Sequence, residues 1–272
     1  MSIVHAIVLG IVQGLTEFLP ISSSGHLILV PDLFGWSEPS TGASRAFDVA
    51  LHVGTLLAAV SYFRADLAHY TRAGVRSART RSIPDLDARI AWLLVVATIP
   101  AVVVGGTLNE VIDEHLTGPI VVGVMLIVFG IVLGLADRLP VRRTLSQARV
   151  RDGWSLGIAQ SIALVPGTSR SGISMSAGRA LGFDRDTAAR VSFLMLVPVT
   201  VAAAVFTAFD LVRNGFPSDM AAPFLVGIAT SAITGYFAIW WLLRYLSTHS
   251  FLPFVIYRLV VGVGVILWFG LR

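Results

Sequence analysis

Two interrupted apolar segments decide the fold of this chain. The first contains Gln13-Gly14-Leu15-Thr16-Glu17-Phe18-Leu19-Pro20-Ile21-Ser22-Ser23-Ser24-Gly25-His26, and the second contains Pro166-Gly167-Thr168-Ser169-Arg170-Ser171-Gly172. The enclosing segments, Ser2–Val30 and Trp154–Leu181, are too long for one plain spanning helix and are broken by proline, glycine and charge. Irregular backbone at membrane depth is tolerated only inside protein or beside a water-filled cavity. Both segments are therefore predicted to be re-entrant helix pairs, each entering and leaving the membrane on one side.

The composition places the whole chain in a membrane. Of its 272 residues, 55% are hydrophobic and only 13% are charged, and the mean hydropathy is +0.80. An ordinary soluble domain carries about 25% charged residues. This balance excludes a soluble enzyme, a disordered protein and a nucleic-acid-binding domain. Because the chain has no cysteine, it has neither disulfides nor thiolate metal sites.

Six further segments have the length of a spanning helix, which is about 20 mainly apolar residues. They are Ala46–Phe63, Ile90–Leu108, Leu116–Ala136, Val191–Phe209, Met220–Leu243 and Phe251–Leu271. The sequence thus predicts an all-α polytopic membrane protein with six transmembrane helices and two re-entrant helix pairs. It forms one membrane domain over residues 1–272.

The arginines test this topology, since all 20 basic residues are arginine. The loops at 64–89, 138–151 and 179–190 carry six, five and three arginines, and Arg244 adds one. If neither re-entrant pair crosses, these 15 residues lie on one side, opposite Arg45, Arg213 and Arg272. The positive-inside rule then places the arginine-rich loops in the cytoplasm and both termini outside.

The two broken segments also resemble each other, which predicts an internal repeat. Gly10-Ile11-Val12-Gln13 matches Gly157-Ile158-Ala159-Gln160, and the serine-rich breaks match if the second has one extra residue. Each segment is followed by three spans, so the halves 1–140 and 150–272 have inverted topology. Such repeats place a site near the bilayer midplane, where the broken helices meet.

The first break contains residue types that are suited to acid–base chemistry. Gln13 and Glu17 share a helix face, and an ionisable residue inside a membrane is by default a functional candidate. Ser22, Ser23 and Ser24 beside His26 are suited to nucleophilic or acid–base catalysis. The structural alternatives are a Glu17–arginine pair, serines that cap the returning helix, and a packed polar histidine.

The sequence of the second break predicts a turn followed by the start of a helix. Free amides and the helix dipole bind anions at such a helix start. A phosphate site is predicted there, with Arg170 as its cation. The alternative is that Arg170 pairs with Glu17 across the repeat interface. The predicted phosphate-binding residues of the two breaks are Gln13, Ser22, Ser24, Gly167, Thr168, Ser169, Ser171, Gly172 and Ser174.

Two other groups of polar residues fall within predicted spans. Asp48 and His52 have the i, i+4 spacing of a metal site, although a solvated helix face is the favoured interpretation. Arg258 is expected to cap a helix, to snorkel or to pair with an acid, and a role in substrate binding is the less favoured alternative.

Together, the two motifs closely resemble the undecaprenyl-diphosphate phosphatase family, also called the bacitracin-resistance proteins. The resemblance covers essentially the whole chain, including His249-Ser250-Phe251-Leu252-Pro253-Phe254 before the last span. It implies hydrolysis of undecaprenyl diphosphate to the monophosphate carrier that peptidoglycan synthesis uses. It also implies an active site open to the outer face of the bacterial cytoplasmic membrane and a divalent cation, Mg²⁺ or Ca²⁺.

The resemblance also assigns residues. It makes Glu17 the essential acid and a candidate metal ligand, Ser23 the nucleophile and His26 the essential histidine. Either His26 or Glu17 would take the proton of Ser23. Arg170 belongs to the second motif with Ser169 and Ser171, Ser174 stands where many members have threonine, and Gln13 stands where many have glutamate.

A second function remains open, because inverted repeats with broken helices are also a transporter architecture. The alternative is a lipid-phosphate transporter or flippase that uses the same site. In both cases the expected partners are a polyprenyl diphosphate lipid and the bilayer, with a homodimer as an option and no nucleic acid.

Overall fold

A computed structural model describes residues 1–36, 41–214 and 220–271, and the elements of regular secondary structure in this part are all helices. Arg272 and the side chains of Arg45 and Arg213 lie outside it. The described part contains a short 3₁₀ turn at Leu145–Gln147 and eleven α-helices. The helices are α1 (Ile3–Phe18), α2 (Ser23–Phe34), α3 (Thr41–Tyr62), α4 (Arg64–Thr80), α5 (Leu86–His115), α6 (Pro119–Asp137), α7 (Asp152–Ile162), α8 (Arg170–Ala180), α9 (Arg185–Asn214), α10 (Ala221–Leu246) and α11 (Leu252–Gly270).

The predicted all-α polytopic class is confirmed. Five helices of the described part, namely α5, α6, α9, α10 and α11, are long and apolar enough to cross a membrane. The sixth predicted span is α3, which leads into α4 through a bend of 84° at Phe63. Helix α4 was not predicted, since its arginines suggested only a loop. Its buried Ala73 and Ser77 show that one face of this polar helix packs against the protein.

The first broken segment begins and ends at the same face of the molecule. Helices α1 and α2 have 16 and 12 residues, and at 1.5 Å per residue neither is long enough to span about 30 Å of hydrocarbon. The rings of His5, near the start of α1, and Trp36, just after α2, stack with centroids 4.0 Å apart. The segment is therefore a helical hairpin, as predicted.

The second broken segment closes in the same way. Helices α7 and α8 have only 11 residues each. The guanidinium of Arg143 donates to the carboxylate of Asp152, the first residue of α7, over 2.6 Å. It also donates to the carbonyl oxygen of Leu181, just after α8, over 3.4 Å. One side chain thus ties together both ends of the α7–α8 hairpin.

The two hairpins open at opposite faces, which is the inverted arrangement. Ala6 of α1 and Trp36 pack with Met220 and Phe224 at the start of α10. At the far end of α10, the amide of Phe251 donates to the Asp137 carboxylate over 3.1 Å. Asp137 also binds Arg185 over 2.5 Å, so this second end belongs to the arginine-rich face that includes Arg143.

Each hairpin packs against the opposite half of the chain through a matching glycine. A Cβ on Gly10 of α1 would lie 2.9 Å from the carbonyl oxygen of Gly227 in α10. A Cβ on Gly157 of α7 would lie 2.6 Å from that of Ala97 in α5. Because real Cβ atoms are not found at such distances, both contacts require glycine. The shared Gly-x-x-Gln motif is thus a helix-packing signal.

The topology predicts which positions are accessible from outside an intact cell. In separate single-cysteine variants, Glu114→Cys should react with a membrane-impermeant maleimide. Arg72→Cys and Ser247→Cys should react only after the membrane is permeabilised. All three positions are exposed, and the chain has no native cysteine to interfere. Labelling of Arg72→Cys in intact cells would contradict the predicted orientation.

Candidate active site

The carboxylate of Glu17 lies where the two breaks meet. Glu17 occupies the last turn of α1 and is buried. Its Oε1 accepts a hydrogen bond from Nη2 of Arg170 over 2.8 Å. Its Oε2 accepts hydrogen bonds from the hydroxyl of Ser23 and from Nε2 of Gln13, the latter over 3.2 Å. For both Glu17 and Arg170, pairing with each other was the structural alternative predicted from the sequence, and the structure has this pair. It joins the two halves of the repeat.

Two serines with matching backbone geometry open the returning helices. Ser22 has φ 76° and Ser169 has φ 72°, a region that side-chain-bearing residues rarely adopt. Each side chain caps its helix, accepting a hydrogen bond from the amide of Gly25 or Gly172, respectively. Nine positions separate Ser22 from Gln13, and nine separate Ser169 from Gln160. The breaks are therefore in register without the extra residue that the sequence comparison placed in the second.

Ser23 and Arg170 are equivalent positions in this register, and each is the first residue of its helix. They meet at opposite oxygens of the same carboxylate. Because a helix start leaves its first amides without intrahelical partners, the two helices bring two anion-binding ends to one place. This is the geometry of a site for a charged, oxygen-rich group such as a phosphate.

The other polar residues of the breaks divide into two groups. Ser171 binds the carbonyl oxygen of Leu19 over 3.0 Å and the hydroxyl of Ser169 over 3.2 Å, while Ser24 lies 3.4 Å from the hydroxyl of Ser22. These contacts hold the breaks together. Within the described part, buried polar atoms without a hydrogen-bond partner include those of Gln13 (Oε1), Thr168 (Oγ1), Ser174 (Oγ) and Ser192 (Oγ). Such atoms are costly to bury unless something binds them.

Arg258 stabilises both breaks from α11. It is fully buried, and its guanidinium donates to the carbonyl oxygen of Pro20 in the first break over 3.1 Å. It donates to those of Gly167 and Thr168 in the second break, over 2.9 Å each. Two further bonds reach the carbonyl oxygens of Met125 and Leu126 in α6. Of the roles considered for Arg258, the structure has the capping one, with backbone carbonyls in place of an acid.

His26 lies apart from the Glu17 carboxylate. Its Nδ1 is 2.6 Å from the carbonyl oxygen of Ser22, and its Nε2 is 2.7 Å from the hydroxyl of Tyr257 in α11. Both ring nitrogens are thus engaged. In this state Glu17, and not His26, is the residue positioned to take the proton of Ser23.

His52 was not expected at the site. Its Nε2 lies 3.6 Å from Oε2 of Glu17, and its side chain is 33% exposed. Its Nδ1 lies 2.8 Å from the carbonyl oxygen of Asp48, which directs the opposite ring nitrogen toward Glu17. The favoured interpretation, a solvated face, is therefore incomplete. The i, i+4 spacing of Asp48 and His52 indicated that the two residues could act together. It did not identify Glu17 as the residue next to His52.

The residues of the site do not fit a resident divalent cation. No group of three or more potential ligands among aspartate, glutamate and histidine occurs in the described part. Among the described side chains, Glu17 supplies the carboxylate that binds both Ser23 and Arg170, and both of its oxygens already accept hydrogen bonds. Magnesium is commonly held by one or two carboxylates together with substrate phosphates. The donor set thus suits a cation that arrives with a diphosphate, not one caged by protein.

This chain matches one family model, and several similar proteins carry one name. Residues 6–264 match the family model described as "Bacitracin resistance protein BacA". A protein named undecaprenyl-diphosphatase from Geobacter sulfurreducens is 44% identical over 274 residues, covering 100% of both chains. Proteins of that name from Gemmatimonas aurantiaca and Nocardioides sp. are 46% and 44% identical. The first alignment covers 97% of both chains, and the second covers 95% of this chain and 93% of the relative.

Replacement of Arg258 should destabilise the protein strongly. In Arg258→Met, five carbonyl contacts are lost at once. The two carbonyls in α6 keep their partners within that helix, but those of Pro20, Gly167 and Thr168 in the breaks lose a donor. Each unsatisfied buried group costs about 1–3 kcal/mol. We expect the melting temperature in detergent to fall by about 10 °C or more. The matched control is Arg244→Met, because Arg244 is exposed in the last turn of α10 and its loss should change the melting temperature little. Equal melting temperatures for both variants would contradict a stabilising role for Arg258.

Proposed function

Because the chain belongs to the BacA family of bacitracin resistance proteins, which confirms the resemblance of its two motifs, we propose that it hydrolyses undecaprenyl diphosphate. The products are undecaprenyl phosphate and inorganic phosphate. One observation carries the proposal: Ser23 donates a hydrogen bond to the carboxylate that Arg170 binds from the other half. A nucleophile, its base and a phosphate-binding cation therefore form one cluster at a double helix start.

The first chemical step transfers the terminal phosphoryl group to Ser23. The Ser23 oxygen attacks the terminal phosphorus, and the proton of its hydroxyl passes to Glu17. The bond between the terminal phosphorus and the bridging oxygen breaks, undecaprenyl phosphate leaves with that oxygen, and Glu17 passes its proton to the leaving phosphate. In the second step Glu17, again a carboxylate, takes a proton from a water molecule whose oxygen attacks the phosphoserine. The bond between phosphorus and the Ser23 oxygen breaks, inorganic phosphate leaves, and Glu17 returns the proton to the Ser23 oxygen.

Arg170 supplies charge stabilisation during both steps. Its Nη2 is bound to Glu17, whereas its Nη1 makes only a long contact of 3.4 Å to the carbonyl oxygen of Ser192. The guanidinium can therefore bridge Glu17 and a phosphate oxygen without abandoning the carboxylate. Phosphoryl transfer depends on such cations and on positioning more than on covalent chemistry. The unpartnered oxygens of Thr168 and Ser174 are hydroxyls that would serve as further phosphate donors.

The substrate is a membrane lipid, and the fold suits one. The polyprenyl chain stays among the apolar spans, and the diphosphate reaches the polar breaks from the outer leaflet of the bacterial cytoplasmic membrane. A divalent cation, Mg²⁺ or Ca²⁺, would come bound to the diphosphate and neutralise part of its charge. Release of the monophosphate carrier returns it to peptidoglycan synthesis, which is the basis of bacitracin resistance in our proposal.

The catalytic assignment predicts large and specific losses of activity. Ser23→Ala should lower kcat by at least about a thousandfold because it removes the attacking oxygen. Glu17→Gln should lower it by about a hundredfold or more because it removes the base. The measurement is phosphate release from undecaprenyl diphosphate by purified protein in detergent with Mg²⁺, with and without chelator. Glu114→Gln and Ser247→Ala are matched controls at exposed positions and should keep wild-type kcat.

Each possible failure has its own meaning. Full activity of Ser23→Ala would remove Ser23 as the nucleophile while leaving the phosphatase function in place. No phosphate release by the wild-type protein would overturn the proposed function itself.

Lipid transport is a second candidate, favoured by one observation: the two hairpins open at opposite faces around a shared charged centre. If the protein also moves lipid phosphates, Ser23→Ala should abolish hydrolysis yet still transfer a fluorescent polyprenyl phosphate between leaflets of reconstituted vesicles. Protein-free vesicles and the Arg170→Gln variant set the background. A transfer rate equal to that background would exclude transport through this site.

A further inference from the structure

In its neutral form, the imidazole of His26 has one tautomer that satisfies both of its contacts. A backbone carbonyl only accepts hydrogen bonds, so Nδ1, which is 2.6 Å from the Ser22 oxygen, must carry a proton. In the neutral ring, Nε2 then holds a lone pair and accepts the hydrogen bond of the Tyr257 hydroxyl over 2.7 Å. Because Nδ1 is fixed by the backbone, Nε2 is the only ring atom through which His26 can exchange a proton.

The ring of Tyr257 lies nearly parallel to the imidazole of His26. The two rings are inclined by 14° with centroids 5.7 Å apart, so the tyrosine restrains the orientation of the imidazole as well as its Nε2 atom. Tyr257 precedes Arg258, the residue that stabilises both breaks, and 231 positions separate it from His26. The same turn of α11 thus holds the breaks through Arg258 and the histidine through Tyr257.

We propose that Tyr257 is a positioning residue of the active site that acts through His26. The Ser22 carbonyl sets the Nδ1–H tautomer of His26, and the Tyr257 hydroxyl occupies Nε2 and holds it toward α11. Any group that exchanges a proton with His26 must either displace this hydroxyl or use it as the intermediate donor. The role in catalysis rests on the proposed phosphatase function and on the essential role that the family resemblance assigns to His26, whereas the tautomer and the hydrogen bond do not.

The physical claim can be tested without activity. Tyr257→Phe keeps the stacked ring and removes only the hydroxyl. In ¹⁵N-histidine-labelled protein in lipid, the Nε2 resonance of His26, assigned by its loss in His26→Asn, should move toward the position of an imidazole nitrogen without a hydrogen bond. The Nδ1 resonance should stay protonated, and the other five histidines are internal controls. An unchanged Nε2 resonance would overturn the proposed contact.

The catalytic claim needs a double-mutant cycle. We expect Tyr257→Phe to lower kcat by about tenfold, the scale of losing a partner that orients a functional histidine, with KM changed less than twofold. In the His26→Asn background, the same substitution should have no further effect on kcat, because its path of action is already gone. Tyr236→Phe is the matched control, since Tyr236 is an exposed tyrosine of the next-to-last helix.

The two readouts separate the possible failures. A tenfold effect of Tyr257→Phe that persists in His26→Asn would overturn action through His26 and assign Tyr257 an independent or structural role. If the wild-type protein releases no phosphate, the proposed function fails, yet the Nε2 resonance still decides whether Tyr257 sets the state of His26.

Discussion

The whole structure depends on satisfying exposed backbone polar groups at membrane depth. Two helix breaks leave carbonyl and amide groups in a region without bulk water, where each unpaired group costs several kcal/mol. Ser22 and Ser169 satisfy amides at the helix starts, and Arg258 satisfies carbonyls of both breaks at once. A lysine could not do the same, since only the planar, five-donor guanidinium reaches five carbonyls in different directions. The breaks are stable at this depth because Ser22, Ser169 and Arg258 supply the hydrogen bonds that their backbone groups lack.

The capping of the two helix starts also positions the residues of the reactive centre. Once the caps fix the two helix starts, Ser23 and Arg170 must lie next to them, as the first residue of each helix. Glu17, in the last turn of the incoming helix, then receives one hydrogen bond from each. An ion pair shielded from water is strong only when its geometry is tightly fixed, and here both partners stand on rigid helix ends. Stability and chemistry therefore use one set of backbone positions.

Much of this could be predicted from sequence because it depends on local signals. Proline, glycine and serine within apolar segments predict the hairpins, and the positions of the arginines predict which loops share a face. Arg143, which ties Asp152 to Leu181, is one of those arginines. By contrast, the partners of His26, His52 and Arg258 are set by tertiary packing. Tyr257 lies 231 positions from His26, and no spacing rule connects residues so far apart. Helix α4 was not predicted because its apolar face is narrow and arginines dominate its pattern of polar and apolar residues.

The repeat is symmetric in backbone and asymmetric in chemistry, and this difference explains why the site has a direction. Matching caps show that both halves build the same helix start, but Ser23 in the first half corresponds to Arg170 in the second, and Glu17 corresponds to Leu164. If the second half repeated the first, it would supply a second carboxylate and a second serine but no cation to balance them. Like charges close together disfavour joint ionisation. Because the second half instead supplies a guanidinium, one carboxylate stays paired and one serine gains an acceptor. A duplicated fold thereby yields a single centre whose base and nucleophile come from one half and whose cation comes from the other.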